Sequence, residues 1–268
     1  MTITLIGSGN VATVLGKRLQ RAGHTILQVC SPRNAEALGA ALRAEARKGE
    51  APNAAPEAIQ DPKNLKKADL YLVAVSDTAV KDVAGQIRVA DALVVHTAGS
   101  VPLDVLKEAS KRYGVLYPLQ SLRKETDPDI IPLLVDGSDE DVRSIVEGVA
   151  KTISPMVKRC NDAERLFFHI GGVLVNNFPN YLYTQTDLFL QDKGQSIDML
   201  LPLMAETVRR LKDFPPAEVQ TGPAVRGDEA TIRKHQEQLE GYPELLEWYN
   251  AFTNKIRSFY ARKYGVHP

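Results

Sequence analysis

Short apolar runs alternate with helical stretches from residue 1 to about residue 160. Several runs are apolar at nearly every position, which is typical of strands buried on both faces of a parallel sheet. The predicted strands are Ile3–Ile6, Thr25–Cys30, Leu70–Val75, Ala92–Val95, Val115–Tyr117 and Ile131–Val135, with an Ala-rich helix over Ala35–Lys48 and a short edge strand near Ala58-Ile59 in a loop over 49–62. This alternation predicts βαβ units and a doubly wound parallel sheet.

The pattern changes after Cys160, where long helical stretches replace the alternation. Asn161–Gln191 is apolar over most of its length, and its turn signals are Gly171-Gly172 and Pro179. Further helices are predicted over Ile197–Lys212, Thr231–Leu239 and Glu244–Lys263. The sequence therefore predicts an α/β domain over residues 1–158 and an all-α domain over residues 159–268.

The turn between the first strand and the first helix has the form G-x-G-x-x-A. It consists of Gly7, Ser8, Gly9, Asn10, Val11 and Ala12. The first glycine permits a tight bend, the second lets a pyrophosphate approach the backbone, and the alanine lets the helix pack closely on the strand. The helix N-terminus adds free N–H groups and the positive end of its dipole. The segment predicts a dinucleotide-binding Rossmann domain, with residues 7–11 around the pyrophosphate, and a merely structural turn is the alternative.

The end of the second strand indicates which dinucleotide is bound. In an NAD site, an Asp or Glu about 20 residues beyond the motif bonds the ribose hydroxyls. Here Val29–Asn34 contains no acid, but it contains the hydroxyl of Ser31 and the guanidinium of Arg33. An arginine can hold a 2′-phosphate with a planar fork of donors, whereas a carboxylate would repel it. The pattern favours NADP, and the alternative is that Arg33 is an ordinary surface arginine.

The carboxyl ends of the later strands are candidate contact points, because ligands of open α/β sheets lie beyond those ends. Two of the ends carry small or hydroxylated residues. We expect Val75, Ser76, Thr97 and Ala98 to border the ribose and the nicotinamide.

Two further residues near the same ends suit structural roles. Asp77 follows Ser76 and suits a helix N-cap. His96 ends the fifth strand, where it is either a proton donor or a hydrogen-bonded core residue.

A polar stripe interrupts the long apolar helix that begins at Asn161. His169 and Asn176 are seven residues apart and lie near one line along the helix, whereas Asn177 sits roughly 80° around from His169. Gly171 and Gly172 would let another element approach closely, at about 1 kcal/mol each in helix propensity. The functional interpretation makes His169 an acid/base and Asn176 or Asn177 a group that orients the substrate. The alternative is a buried polar cluster at a helix or subunit contact.

Two further residues are candidate substrate contacts. Gln120 follows the strand that ends near Tyr117. Arg226 follows the rigid Gly222-Pro223 turn and precedes Asp228, a candidate helix N-cap. A fixed arginine can bind a substrate carboxylate through two hydrogen bonds, or it can pair with a nearby acid.

Composition and charge exclude several other classes of protein. The chain has 268 residues, of which 44% are hydrophobic and 25% charged, with 33 basic and 33 acidic residues. The zero formal net charge gives no overall attraction to nucleic acid, and no apolar run reaches the length of a membrane span. The chain enters its first strand without a cleavable leader, and Cys30 and Cys160 lack metal-ligand spacing. We therefore expect a cytoplasmic protein with no nucleic-acid, membrane or metal partner.

Taken together, the motifs resemble a bacterial family of Rossmann-fold proteins that are provisionally described as NADP oxidoreductases and end in a helical domain of unknown function. The resemblance covers essentially the whole chain. It rests on residues 5–12, 73–77, 96–100, 117–120, 169–177 and 221–228. More distantly, the layout is similar to pyrroline-carboxylate reductases, β-hydroxyacid dehydrogenases and deazaflavin-dependent NADP reductases.

The resemblance implies NADP binding, a homodimer and a helical domain that completes the site, but it supplies no substrate. The catalytic lysine that β-hydroxyacid dehydrogenases carry on the long helix is missing, and His169 lies in the corresponding region. The resulting hypothesis is an NADP-dependent oxidoreductase that transfers a hydride between nicotinamide and a small carbonyl, imine or hydroxyl substrate. Two alternatives stay open: an NADP(H)-binding sensor without turnover, and an NADP reductase that uses a deazaflavin coenzyme.

Overall fold

The computed structural model describes residues 1–45, 55–89 and 91–264. By its contacts the chain divides into two units, Met1–Asn177 and Phe178–Pro268. The domain boundary predicted between residues 158 and 159 stays a prediction, since the division by contacts falls later along the chain. The end of the helix predicted over Ala35–Lys48 and the first part of the predicted 49–62 loop lie outside the described residues.

The first unit is built around one eight-stranded sheet with the order β3-β2-β1-β4-β5-β6-β7-β8. The strands are β1 Thr2–Ile6, β2 Thr25–Cys30, β3 Glu57–Ile59, β4 Leu70–Val73, β5 Leu93–His96, β6 Arg112–Pro118, β7 Leu133–Gly137 and β8 Val157–Arg159. The first six are all parallel, and the order reverses between β1 and β4. The predicted doubly wound α/β fold is thereby confirmed, including its short edge strand, and β1 lies at the switch point where nucleotides bind.

The last two strands run against the other six. The β7 strand pairs antiparallel with β6, and Pro118 lies opposite Leu133. The connection over residues 119–132 contains no helix, so the chain turns back beside β6 instead of crossing over to a parallel position. The β8 strand, which the sequence pattern did not predict, is three residues long and pairs parallel with β7.

Both faces of the sheet are covered by helices. The helices of the first unit are α1 Asn10–Arg21, α2 Ala35–Glu45, α3 Asp77–Gln86, α4 Glu140–Ile153 and α5 Asp162–Gly172. Those of the second unit, which is a separate body, are α6 Phe178–Asp192, α7 Leu201–Arg210, α8 Pro223–Arg226, α9 Glu229–Leu239 and α10 Pro243–Tyr264. Successive residues of a strand belong to different cores: Leu72 packs with one apolar cluster, and Tyr71 and Val73 with the other. This explains why the parallel strands are apolar at nearly every position.

The long helix predicted over Asn161–Gln191 is helical throughout but is not a regular α-helix. Asn161 begins it with a capping box, and a π-turn over Val173–Asn177 separates α5 from α6. Pro179 lies two residues beyond the π-turn, and a proline inside a helix removes one hydrogen bond and crowds the carbonyl four residues earlier. The wide turn lies where that crowding has to be relieved.

The second unit is helical in all of its described elements, as predicted. Asp228 caps α9 by accepting a hydrogen bond from Thr231 N at 3.0 Å, which agrees with its predicted role. The segment around Arg226 is not a plain loop, because residues 223–226 form the short helix α8 between two glycines of positive φ, Gly222 and Gly227.

Both cysteines are buried and unpaired. Burial raises the pKa of the Cys30 thiol to about 11 and raises the pKa of Cys160 as well. Within the described parts of the chain, no helix is long and apolar enough to cross a membrane. No group of three His, Cys, Asp or Glu side chains there is placed to hold a metal ion.

Candidate functional site

The turn after β1 has a backbone that only glycine can adopt at its first position. Gly7 has φ +116°, and a Cβ there would overlap the carbonyl of Ala74 at the end of β4. Its N–H donates to Cys30 O at 2.8 Å, so the turn is held between the neighbouring strands β2 and β4. The turn is therefore a fixed part of the sheet edge.

The second glycine leaves open space. Gly9 is the N-cap of α1 and makes no side-chain cap, and a Cβ on it would meet no protein atom within 4 Å. Behind it, Ala12 is fully buried against the sheet. The first helical turn, Asn10 to Thr13, carries no carboxylate. This is the open, positively polarised helix end that a pyrophosphate requires, so residues 7–11 fit the predicted cofactor site.

The end of β2 closes over the same turn. The hydroxyls of Ser8 and Ser31 lie 2.8 Å apart, and each donates to Arg33 O, at 2.7 and 2.6 Å. Asn34 then takes a positive φ of 60° before α2 begins. This small network fixes the backbone of Arg33 while its side chain is exposed. The Ser31 hydroxyl is thus tied to the backbone of Arg33, the two residues predicted for the 2′-phosphate.

The ends of β4 and β5 are joined to each other. Ser100 donates to Asp77 Oδ2 from its hydroxyl at 2.6 Å, and Ser76 is the N-cap residue of α3. The prediction that Asp77 is the N-cap is therefore wrong: it is the first helical residue, and its carboxylate holds the loop after β5. Val75 is half-buried and Ser76 exposed at this edge.

The two residues that follow β5 are buried. Thr97 Oγ1 donates to Val73 O at 3.4 Å, and Thr97 and Ala98 are 6% and 3% exposed. His96 is fully buried, and its Nδ1 accepts from Ala98 N at 3.1 Å. Burial, with a contribution from the charge of Arg165, lowers the pKa of His96 to about 4. His96 is thus the hydrogen-bonded core residue of the two interpretations, and it is neutral near pH 7.

A tyrosine and a histidine pair above the loop after β5. Tyr117 Oη and His169 Nδ1 are 3.0 Å apart, and the two rings meet edge to face with centroids 6.0 Å apart. Gly99 makes room for them, since a Cβ there would lie 2.6 Å from His169 Nδ1 and 2.8 Å from Tyr117 Cζ. The pair therefore brings β6, α5 and the β5 loop together at the carboxyl edge of the sheet.

The pair opens into a cavity of about 570 Å³. Gln120, Asn176 and Asn177 also line it, with apolar side chains that include Leu119 and Phe168. Four of the five predicted catalytic and substrate residues are therefore brought together. The π-turn contributes to this arrangement. In a regular α-helix Asn177 would lie about 80° around the axis from His169, and the wider turn brings Asn177 closer to the line of His169.

Among the described residues, the Gln120 side chain is hydrogen-bonded through its oxygen only. Its Oε1 accepts a hydrogen bond from Ser121 N at 2.9 Å, so the amide NH₂ is left to donate into the cavity. Arg226, the fifth predicted residue, lies in the second unit at the end of α8 and is exposed. Its predicted contact with substrate stays a prediction.

Arg165, which the sequence analysis missed, ties α5 to the loop after β5. It is 1% exposed, and its Nη2 donates to Val101 O at 2.5 Å and to Asp162 Oδ1 at 2.7 Å. Asp162 also accepts from Leu103 N at 3.0 Å. The spacing of Asp162 and Arg165, three residues apart on a helix, was a signal that could have identified the pair.

The loop after β6 was missed as well. Lys124 N donates to the side chain of Asn10 at 3.3 Å, and the carboxylate of Asp127 binds Arg18 at 2.7 Å and also Arg21. These bonds fasten the 119–132 connection along α1, from its first residue to its last turn. Asn10 is therefore oriented by this loop before any ligand arrives.

Two family models match the chain in succession. The model of NADP oxidoreductase coenzyme F420-dependent matches residues 2–99. The model of DUF2520, a domain of unknown function, matches residues 131–256. No curated protein matches the chain.

Solved structures match nearly the whole chain. A protein from Bacteroides fragilis, provisionally described as an NADP oxidoreductase, is 31% identical with a TM-score of 0.85, and the match covers 96% of this chain and 98% of that one. A 1-pyrroline-5-carboxylate reductase from Streptococcus pyogenes shares the fold at 14% identity and a TM-score of 0.60, over 96% and 98%. An imine reductase from Myxococcus stipitatus in complex with NADP⁺ does so at 14% and 0.61, over 99% and 95%. The chain belongs to the family of NADP oxidoreductases that these matches identify, and its cofactor is NADP.

Proposed function

We propose that this protein transfers a hydride between the nicotinamide of NADP and a small carbonyl, imine or hydroxyl substrate held in the cavity beside His169. One observation carries the proposal. His169, Gln120, Asn176 and Asn177 line a single cavity at the carboxyl edge of the sheet that also holds the Gly7–Gly9 turn. A binding protein needs only the turn, whereas an enzyme also needs groups that handle protons beside it.

The cofactor would be held at its pyrophosphate and at its 2′-phosphate. The backbone of residues 7–11 and the free N–H groups of α1 would contact the pyrophosphate. The Arg33 guanidinium and the Ser31 hydroxyl would hold the 2′-phosphate, with the backbone of Arg33 fixed by Ser8 and Ser31. Val75, Ser76, Thr97 and Ala98 would border the ribose and nicotinamide, with Thr97 and Ala98 presenting mainly backbone.

The chain's own chemistry would be proton transfer and orientation. Bound NADPH supplies the hydride. His169 would exchange a proton with the oxygen or nitrogen of the reacting bond, since an imidazole can give or take one near pH 7. The Gln120 amide and the Asn176 and Asn177 carboxamides would hold the substrate by hydrogen bonds.

The cavity suits a small substrate with an apolar part and a polar reacting end. Leu119, Phe168 and Val175 supply apolar surface, and no carboxylate lies among its lining residues in the described chain. Arg226 would bind a substrate carboxylate, if the substrate carries one. We therefore propose oxoacids, aldehydes and cyclic imines as the first classes to try.

The test compares wild type with His169→Ala in NADPH oxidation against a panel of imines, oxoacids and aldehydes. Because general acid–base catalysis contributes about 10²- to 10⁴-fold, kcat should fall by at least about 100-fold. The Kd for NADPH should not change. His235→Ala is the matched control, since His235 is exposed on α9 and bonds Tyr249 Oη at 2.9 Å.

Tight NADPH binding with no turnover on any substrate would overturn the proposal and favour the sensor. Equal turnover by His169→Ala and wild type would leave an oxidoreductase but remove His169 from its mechanism.

A deazaflavin coenzyme is a second candidate for the hydride partner, and the family model that matches residues 2–99 favours it by its description. In that case the cavity would hold a large planar ring, and NADPH would reduce it without any other substrate. A spectral titration with the oxidised coenzyme, followed by addition of NADPH, distinguishes the two: bleaching of the coenzyme band supports the deazaflavin reaction.

We also propose a homodimer through the helical unit. Large apolar side chains on α7 and the turn before it are exposed, with Met199, Leu203 and Val208 at 84%, 65% and 62%. An exposed apolar surface of this kind is typical of an interface. The buried, unpaired Cys30 and Cys160 agree with work in a reducing compartment, and we propose the cytoplasm.

A further inference from the structure

We propose that Tyr117 is a positioning residue that fixes which nitrogen of His169 exchanges a proton with the substrate. The inference rests on the proposed function, because it assigns a partner to the proposed acid/base. Tyr117 lies on β6 and His169 on α5, and their polar atoms are 3.0 Å apart. A hydrogen bond of this length engages Nδ1, so Nε2 is the nitrogen left to meet a ligand.

The phenol keeps its proton, which sets the direction of the bond. Burial, together with the negative charge of Asp77, raises the pKa of Tyr117. The hydroxyl therefore has a hydrogen to donate, and among the described residues His169 Nδ1 is the acceptor the structure gives it. A neutral His169 that accepts at Nδ1 carries its own proton on Nε2.

The loop after β5 holds the two rings at this distance. Gly99 lies against His169 Nδ1 and the edge of the Tyr117 ring, where a Cβ would overlap both side chains. The edge-to-face contact limits rotation of the imidazole, so a flip that exchanged Nδ1 and Nε2 would break both the contact and the hydrogen bond. Three elements of the fold thus restrict one ring to one orientation.

Two charged groups act on the Tyr117 side of this pair. Asp77 at the start of α3 and the buried Arg165 on α5 act on Tyr117 in opposite directions, and the negative charge has the larger effect on its pKa. Gly99 and Ser100, from the loop after β5, contribute no charge of their own. The proton on Tyr117 is therefore retained over the pH range in which His169 would work.

The experiment uses Tyr117→Phe, which removes the hydroxyl and keeps the ring. The matched control is Tyr113→Phe, on the same strand, where the hydroxyl donates to Asp104 Oδ1 at 3.1 Å and not to a histidine. The first readout needs no substrate: long-range ¹⁵N–¹H correlation spectra of the histidine rings in full-length protein, with the His169 signals identified by their loss in His169→Gln.

In wild type, we expect His169 to show one ring nitrogen of pyrrole type, Nε2, and one of pyridine type, Nδ1. Tyr117→Phe should move both nitrogens toward averaged values, while Tyr113→Phe should not. Averaged nitrogens in wild type, a proton fixed on Nδ1, or no change in Tyr117→Phe would each overturn the inference. The result does not depend on turnover, so it can fail while the proposed function stands.

The second readout is kinetic. Loss of one neutral hydrogen bond should lower kcat by about 10-fold in Tyr117→Phe. The KM of the substrate should stay within about 2-fold, because the lost hydroxyl bonds His169 and the phenylalanine keeps the ring that lines the cavity. A rise in KM with unchanged kcat would assign Tyr117 to substrate binding and overturn the positioning role.

Discussion

The guanidinium of Arg33 is the single side chain that we expect to separate NADP from NAD. Arg33→Ala should raise the Kd for NADPH about 10- to 100-fold, because hydrogen bonds to charged groups contribute about 1.5–3 kcal/mol each. The Kd for NADH should change by less than about 2-fold, since NADH has no 2′-phosphate. Titration of the intrinsic fluorescence of each reduced cofactor gives both values.

Arg43→Ala is the control for that measurement, because Arg43 is an exposed arginine in the last turn of the neighbouring α2. It should leave both affinities unchanged. Equal weakening of NADPH and NADH in Arg33→Ala would mean that Arg33 acts on a feature the two cofactors share, and the 2′-phosphate assignment would then be wrong.

The role of a residue could be predicted from the sequence where it depends on the neighbouring residues in the chain. A role that depends on a partner distant in the chain could not be predicted. Gly7 and Gly9 are dictated by the turn they form, and Arg33 by its place after a strand. Tyr117 and Arg165 depend on partners 52 and 64 positions away in the chain. These two distant bonds appear only when the fold brings the partners together, whereas the pairing of Arg165 with Asp162 has a local spacing that the sequence does show.

In the strand–turn–helix unit of β1 and α1, we expect substitution of Gly9 to affect mainly cofactor binding and substitution of Gly7 to affect mainly folding stability. Gly9→Ala should raise the Kd for NADPH by at least about 10-fold, because the added methyl group fills the space that the pyrophosphate needs. It should cost less than about 1 kcal/mol of unfolding free energy, since a Cβ at Gly9 meets no protein atom within 4 Å.

Gly7→Ala is the contrasting variant, and it should destabilise the fold itself. Its positive φ and the overlap with Ala74 O predict a loss of about 3 kcal/mol or more in urea unfolding. If Gly9→Ala proved as destabilising as Gly7→Ala, or bound NADPH as tightly as wild type, the open space at α1 would not be the pyrophosphate site.

Elements were predictable where their pattern was long and regular. The helix from Asn161 was predicted over its full length, but the π-turn within it was not, because its width depends on how the helix accommodates Gly172 and Pro179. The direction of β7 was missed because it depends on a connection without a helix. The β8 strand has three residues, of which two are charged, so it offers no apolar run.

At the scale of the whole molecule, the exposed apolar surface of the helical unit predicts self-association. Leu203→Glu should shift the protein from dimer to monomer in light scattering coupled to size exclusion, because a charge placed in an apolar contact is costly to desolvate. Lys234→Glu, an exposed change on α9, should leave the mass unchanged. Wild type that is monomeric at micromolar concentration would contradict the proposed homodimer.

The sequence also predicted the overall plan of the molecule, because the change from strand–helix alternation to helices alone is a property of long stretches. The predicted boundary after residue 158 follows the change in secondary structure, whereas the contacts divide the chain after Asn177. The helix that carries His169 belongs to the predicted helical domain because it is a helix outside the strand–helix alternation. By its contacts it belongs to the first unit. Secondary structure is local, whereas the assignment of a helix to a unit depends on which neighbours it packs against.

The burial of Cys30 and Cys160 makes the native protein a ready background for thiol labelling. The thiolate is the reactive form, and burial in apolar surroundings suppresses it at both positions. A maleimide dye should therefore attach only to a cysteine introduced at an exposed position, such as Gln120→Cys or Arg226→Cys, with no need to replace the natural residues first. With both substitutions in one chain, a donor and an acceptor dye would report the separation of the two candidate substrate contacts directly in solution.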